Sequence, residues 1–334
     1  MRRSIPVFLL GLAIILIVSY LGNKIRQAYE TKEKKDEYDL VKKYLLNESV
    51  LYGKNRPKIW IHSQYEVNSR MWKNFMSRNS TELNQPYLFL TVQSVINHCG
   101  NDFHICLVDD EVFEKLIPTW DVNLAKIPEP TRSRYRTIGM LQLLELYGGM
   151  IVPNSFLCLR SLKPMYEEAQ KNPFMVEKIK RTESKNKKAF EPDLSMMGAQ
   201  KGDPFLTYLI QFMTNLEKGH FSEQTEFKGD VEYECLQQHY DQKLTMIDGK
   251  YIGIKDVYDK PLGIEDWMSD SFLNVEISLY GIYVPREEIL RRNKFQWFAI
   301  LPIQDVLNTT TILSKYFNSS LSHQTKKELS LSCI

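Results

Sequence analysis

The sequence predicts an α/β domain, a mainly parallel sheet flanked by helices, and three observations carry that expectation. Strand and helix signals alternate from Ile59 to Phe156, the pattern of strands joined by crossover helices. A helical stretch with apolar residues three and four apart, Ile138, Leu141 and Leu144 among them, passes through Gly148-Gly149 into the apolar run Met150-Ile151-Val152. The chain of 334 residues is 43% hydrophobic and 25% charged, enough for one large or two small globular domains.

Charge and cysteine content narrow the function classes. A formal net charge of +2 lacks the basic excess of nucleic-acid-binding domains, so no nucleic acid partner is expected. The five cysteines (Cys99, Cys106, Cys158, Cys235 and Cys333) form no CxxC and no Cys/His cluster, which argues against a zinc site. Cys106 and Cys158 fall in apolar runs and read as core.

In chain order, residues 1–4 form a short tail before an uncharged, apolar run of about eighteen residues, 5–22, near the minimum for a transmembrane helix. No small-x-small site follows it, so a signal anchor is expected rather than a cleaved signal peptide. Lysines and arginines after the run would hold the body in the cytosol. A short tail before a large C-terminal body is instead the single-pass type II arrangement, which places the body in a lumen such as that of the Golgi or ER. Sequons at Asn47, Asn79, Asn308 and Asn318 fit that orientation. Residues 23–56 alternate charges and read as a solvated helical stem.

The folded body is expected over 57–316. Lys58–His62 reads as a first buried strand, Pro86–His98 as a helix and Phe103–Val108 as a second strand, with Asp109-Asp110-Glu111 supplying a helix cap and a base or ribose contact as the competing reading. Arg132, Arg134 and Arg136 precede the central helix. In a loop, their period of two would turn them to one side, toward a diphosphate or toward solvent. Beyond Met150-Ile151-Val152 comes the polar loop Pro153-Asn154-Ser155, then a second extended run from Ser155. A loop in this place, after a strand's carboxyl end, is where open sheets bind ligands.

Lys171–Lys188 reads as a Lys-rich segment, either a mobile loop over the site or an exposed excursion, and Gly202-Asp203-Pro204-Phe205 as the start of a helix over Phe205–Leu216. TMI and YIGI around Asp248-Gly249 suggest a hairpin. In Gly263-Ile264-Glu265-Asp266-Trp267, two carboxylates stand beside an aromatic ring. Either Glu265 or Asp266 has the chemistry of a general base, and an exposed acidic turn is the competing reading. Strand Leu279–Val284 and helices over Arg286–Leu290 and Phe295–Leu301 follow, and 317–334 reads as a loose tail.

Leu143-Leu144-Glu145-Leu146-Tyr147-Gly148-Gly149 followed by a hydrophobic triplet resembles the capsular polysaccharide synthesis family and the related DXD-containing sugar transferases of the outer-chain mannosyltransferase type. Pro57-Lys58-Ile59-Trp60 and Gly202-Asp203-Pro204-Phe205 extend the likeness. The resemblance implies a GT-A fold, a nucleotide diphosphate sugar donor and a glycan or polysaccharide acceptor. It also implies substrate contacts at His62, Gly148, Gly149, Asn154 and Ser155, joined by Arg134 and Arg136. The pattern departs in its charges. Pro153-Asn154-Ser155 stands where D-x-D is expected, and Thr137 and Met140 stand where the family's helix carries Asp and Arg. No metal cofactor is therefore expected, and the alternative function is a non-catalytic homologue that binds a nucleotide sugar or glycan or serves as an interaction scaffold.

Overall fold

The structure is a computed structural model that describes residues 56–64, 85–179, 190–218 and 227–321. The expected anchor (5–22), the tail before it and nearly all of the stem lie outside the described residues. Among the described residues, no helix is long and apolar enough to cross a membrane.

The first half alternates as expected: β1 (Lys58–His62), α1 (Tyr87–Cys99), β2 (His104–Val108), α2 (Asp110–Leu116), α3 (Thr131–Tyr147), β3 (Gly149–Ile151) and β4 (Phe156–Cys158). It continues with α4 (Lys163–Glu168), β5 (Phe174–Ile179), β6 (Phe190–Ala199), α5 (Pro204–Glu217), α6 (Phe227–Tyr240) and β7 (Thr245–Ile247). The six-stranded sheet has the order β2-β1-β3-β6-β5-β7. Pairs β1/β2, β1/β3 and β5/β7 are parallel, and β6 runs against both of its neighbours. The sheet is therefore mostly parallel, with helices packed against it.

The Gly-Gly junction does what the sequence requires. Gly148 has φ +69 and Gly149 φ +113, conformations that side chains rarely adopt. A Cβ on Gly149 would sit 2.2 Å from the Lys58 carbonyl oxygen, so only glycine lets β3 close against β1. The buried Trp60 indole donates to the Gly148 carbonyl at 3.0 Å and locks the junction from the β1 side.

A second, two-stranded sheet pairs β4 with β8 (Gly281–Tyr283) antiparallel. Around it gather α7 (Ile264–Trp267), α8 (Arg286–Arg291), α9 (Gln296–Ala299), α10 (Ile303–Asn308) and α11 (Ile312–Ser320). Their buried Trp267, Ile282, Ile289, Phe298 and Phe317 share one apolar core with Leu90 of α1 and Leu157 of β4.

Four expectations are corrected. Chain packing does not end at Tyr316: Leu313, Phe317 and Leu321 recur at i, i+4 and are all buried, so the tail is ordered through 321. YIGI is not a strand but a single 3-10 turn, Gly249–Ile252, capped by Asp248 and ended by the left-handed Gly253. β7 therefore joins β5 in parallel rather than forming a hairpin. Within 171–188, Phe174, Met175 and Val176 form the buried start of β5, so Lys178 lies in a strand rather than in a loop. Finally, Arg132, Arg134 and Arg136 lie inside α3, not in a loop, and helical geometry points successive members to different sides.

Candidate functional site

The parallel strands end together at one edge of the sheet. His62 closes β1, Asp109 and Asp110 follow β2, and the Pro153-Asn154-Ser155 loop follows β3. Asp109 is the cap the sequence implied, accepting from the Val112 amide at 3.2 Å. Asp110, one residue on, faces the neighbouring strand. Its Oδ1 lies 2.9 Å from His62 Nε2 and accepts from Arg136 Nε at 2.9 Å, while Oδ2 accepts from Arg136 Nη2 at 2.8 Å. Burial raises the Asp110 carboxyl, but the hydrogen bonds and charges of His62 and Arg136 outweigh it and hold the group down at about 2. The His62 ring stacks on Phe113, 5.8 Å between centroids and 2° between planes. His62 and Arg136 are thus brought together by a carboxylate of the Asp109-Asp110-Glu111 run.

Arg134 is placed elsewhere. Its guanidinium pairs with Glu217 of α5 at 3.1 Å, both side chains being buried, and stands 4.6 Å from the Phe227 ring centre. Arg132 donates from Nε to the Ile127 carbonyl at 2.8 Å. The three arginines therefore do not form a common anion-facing row.

The 153–155 loop is pinned from several sides. Phe156 N donates to the Pro153 carbonyl at 3.0 Å, and Val284 N donates to the Ser155 carbonyl at 3.1 Å. The Asn154 carbonyl accepts from Thr91 Oγ1 of α1 at 2.5 Å, and its Nδ2 donates to Ser63 Oγ at 3.4 Å. Asn154 Oδ1 accepts from Arg286 Nη1, at the start of α8, at 3.1 Å. Arg286 makes no ion pair among the described residues, so a guanidinium held by a neutral amide stands at the carboxyl end of β3.

Two tyrosines lie within reach of that charge. Burial pushes the Tyr87 phenol well up, and the Arg286 charge pulls it back. Burial also raises Tyr283, as does the Asp193 carboxylate, against a hydrogen bond from Ser195 and the Arg286 charge. Both phenols stay protonated and able to donate. The buried Tyr87 hydroxyl and both amide atoms of buried Gln85 find no hydrogen-bond partner among the described residues. Buried polar atoms left unpaired are costly.

Glu265 and Asp266 are not gathered into this cluster. Asp266 Oδ2 accepts from the Gly263 amide at 2.8 Å and caps α7, and Glu265 is half exposed and paired with Arg292. Gly148 and Gly149 lie at the opposite end of β3, as structure rather than contact. Beside them a groove of about 410 Å³ is lined by Tyr147, Tyr166, Gln170, Gln200 and Lys201. Its Tyr147 hydroxyl and Gln200 amide are already committed to the Leu116 and Gln170 carbonyls.

The D-x-D metal that the family likeness implies does not fit these residues. Pro153 offers no donor, Asn154 Oδ1 faces a guanidinium, and Ser155 is 2% exposed. Among the described residues, no group of three His, Cys, Asp or Glu side chains is placed to hold a metal ion. Sequence reasoning missed Arg286, Tyr87 and Gln85. Arg286 was read only as the first residue of a helix, and no local signal ties it to Asn154.

No protein-family model matches the chain, and no curated protein sequence matches it.

Proposed function

We propose that the chain is a membrane-anchored protein of the GT-A glycosyltransferase type, which binds a nucleotide diphosphate sugar at this sheet edge. It transfers the sugar to a glycan or polysaccharide acceptor without a metal held by a D-x-D loop. The observation that carries the reading is Arg286, a cation with no ion pair among the described residues, held on Asn154 in the loop where such enzymes bring positive charge to a diphosphate. Its guanidinium meets two phosphate oxygens at once and stabilises the charge that develops as the sugar's anomeric C–O bond breaks. Tyr87 and Tyr283 remain neutral donors beside it. The acceptor hydroxyl gives its proton to a carboxylate; Glu265 and Asp266, the candidates the sequence offers, stand apart from the Arg286 cluster and would have to leave Arg292 and the helix cap to serve. The body faces a lumen, and the anchor is residues 5–22.

Binding without transfer is the second reading, favoured by the commitment of Asp266 to a helix cap and of Glu265 to Arg292. A panel of nucleotide sugars tested by thermal shift, with EDTA or with Mn²⁺, separates these outcomes. Stabilisation by at least one donor in EDTA, followed by product formation, supports the transferase. Binding that requires Mn²⁺ overturns the metal-free account. Stabilisation with no product moves the conclusion to a binding protein, and no stabilisation by any donor removes both readings.

A further inference from the structure

Behind the site, α1 lies along the Asn154–Cys158 segment, and its contacts come in register. Thr91 Oγ1 donates to the Asn154 carbonyl at 2.5 Å, Ser94 Oγ accepts from Cys158 N at 2.8 Å, and Ser320 Oγ donates to the Cys158 carbonyl at 2.6 Å. At the end of this face Cys99 Sγ stands 3.8 Å from Cys158 Sγ, both side chains being fully buried. A disulfide needs sulfurs about 2.05 Å apart, so the pair must close by about 1.8 Å.

We propose that Cys99 and Cys158 form a disulfide when the protein folds in an oxidising compartment, tying the C-terminal end of α1 to β4 behind the Asn154 loop. The oxidant is a small or protein disulfide of the glutathione class. One of the two cysteines attacks one of its sulfurs as the thiolate, forming a mixed disulfide and releasing one thiolate. The other cysteine then loses its proton and attacks the first cysteine's sulfur, releasing the second thiolate. Two electrons and two protons pass to the oxidant, and the chain gains one S–S bond. Both sulfurs are shielded once α1 is packed, so closure happens during folding and the finished bond resists reduction until the protein unfolds. The bond spans 59 residues of sequence, a separation large enough to restrict the unfolded chain substantially.

The test is to refold the full chain in a glutathione redox buffer, block free thiols in denaturant, and map peptides without reduction. The expected result is a 99–158 linked peptide, lighter by two hydrogens, with Cys106, Cys235 and Cys333 alkylated. The oxidised protein should also melt several degrees above the same protein refolded in reductant. Full alkylation of both Cys99 and Cys158 in folded protein from the oxidising buffer overturns the proposal, as does linkage of either to another cysteine. Cys99→Ser is the control: its melting temperature should no longer depend on the redox buffer. A dependence that persists also counts against the pair. Neither readout involves a nucleotide sugar, so the outcome is independent of the proposed function.

Discussion

Arg286 Nη1 donates to Asn154 Oδ1 at 3.1 Å, joining positions 132 residues apart at the carboxyl end of β3. The acceptor is a neutral amide, so the pairing orients the guanidinium without cancelling its charge. Arg136 differs in just this respect. Its two hydrogen bonds to Asp110 fix it and neutralise it together.

The first prediction follows from that contrast. Arg286→Ala should weaken binding of a nucleotide diphosphate sugar by about 1.5–3 kcal/mol, while folding stability moves by no more than about 0.5 kcal/mol. Asn154→Asp should also weaken binding, because a carboxylate there would neutralise the cation. Titration calorimetry on both variants decides the matter. Unchanged affinity in Arg286→Ala would remove the residue from the site.

Arg134 should behave in the opposite way. Glu217 is 4% exposed in its side chain and has Arg134 as its cation, so Arg134→Ala leaves a buried carboxylate uncompensated. The expected cost is about 3–5 kcal/mol of stability, read from urea unfolding, with ligand affinity retained in whatever fraction stays folded. A stable variant that has lost binding would reverse this assignment.

How far the sequence was legible depended on the range of the interaction. The buried runs Ile59-Trp60-Ile61 and Ile105–Val108 announced β1 and β2, because a parallel strand covered on both faces is apolar throughout. Gly148-Gly149 announced the helix-to-strand junction, because two left-handed positions in succession admit little else. Arg136 was singled out, but its charge was assigned to a ligand, since nothing local shows that Asp110 arrives from the next strand. Arg286 was passed over for the same reason. All of β5 and the end of α11 were misread where Lys, Ser and Asn surround the buried Phe174 and Phe317 and dilute the apolar signal.

A third prediction concerns the junction itself. Gly149→Ala combines φ +113 with a Cβ placed 2.2 Å from backbone oxygen, a clash that no side-chain rotation relieves. It should cost about 4 kcal/mol or more, measured by chemical denaturation, or prevent folding. Gly202→Ala is the matched control. It also has positive φ, +72, but a Cβ there meets nothing within 4 Å, so it should cost only about 1 kcal/mol. Equal losses in the two variants would mean that strain alone, not the β1–β3 approach, demands glycine at 149.

The His62–Asp110–Arg136 knot makes a prediction about acid. Burial alone would raise the Asp110 carboxyl from 3.8, yet its two partners bring it to about 2 in the folded protein. A depressed carboxyl contributes stability that is whole above its unfolded value and is lost as the pH falls through its folded value. The contribution is therefore complete above about pH 5, declines from about pH 4 and is gone below about pH 2. The size of the shift corresponds to about 2 kcal/mol. Asp110→Asn removes the titrating group but keeps the shape, so the variant should be less stable than the parent near neutrality by about that amount. The gap should then narrow steadily as acid protonates Asp110 in the parent. Urea unfolding of both proteins, repeated from about pH 6 down to about pH 2, measures the gap directly. A gap that stays constant with pH would show that Asp110 acts through packing and not through its charge on His62 and Arg136.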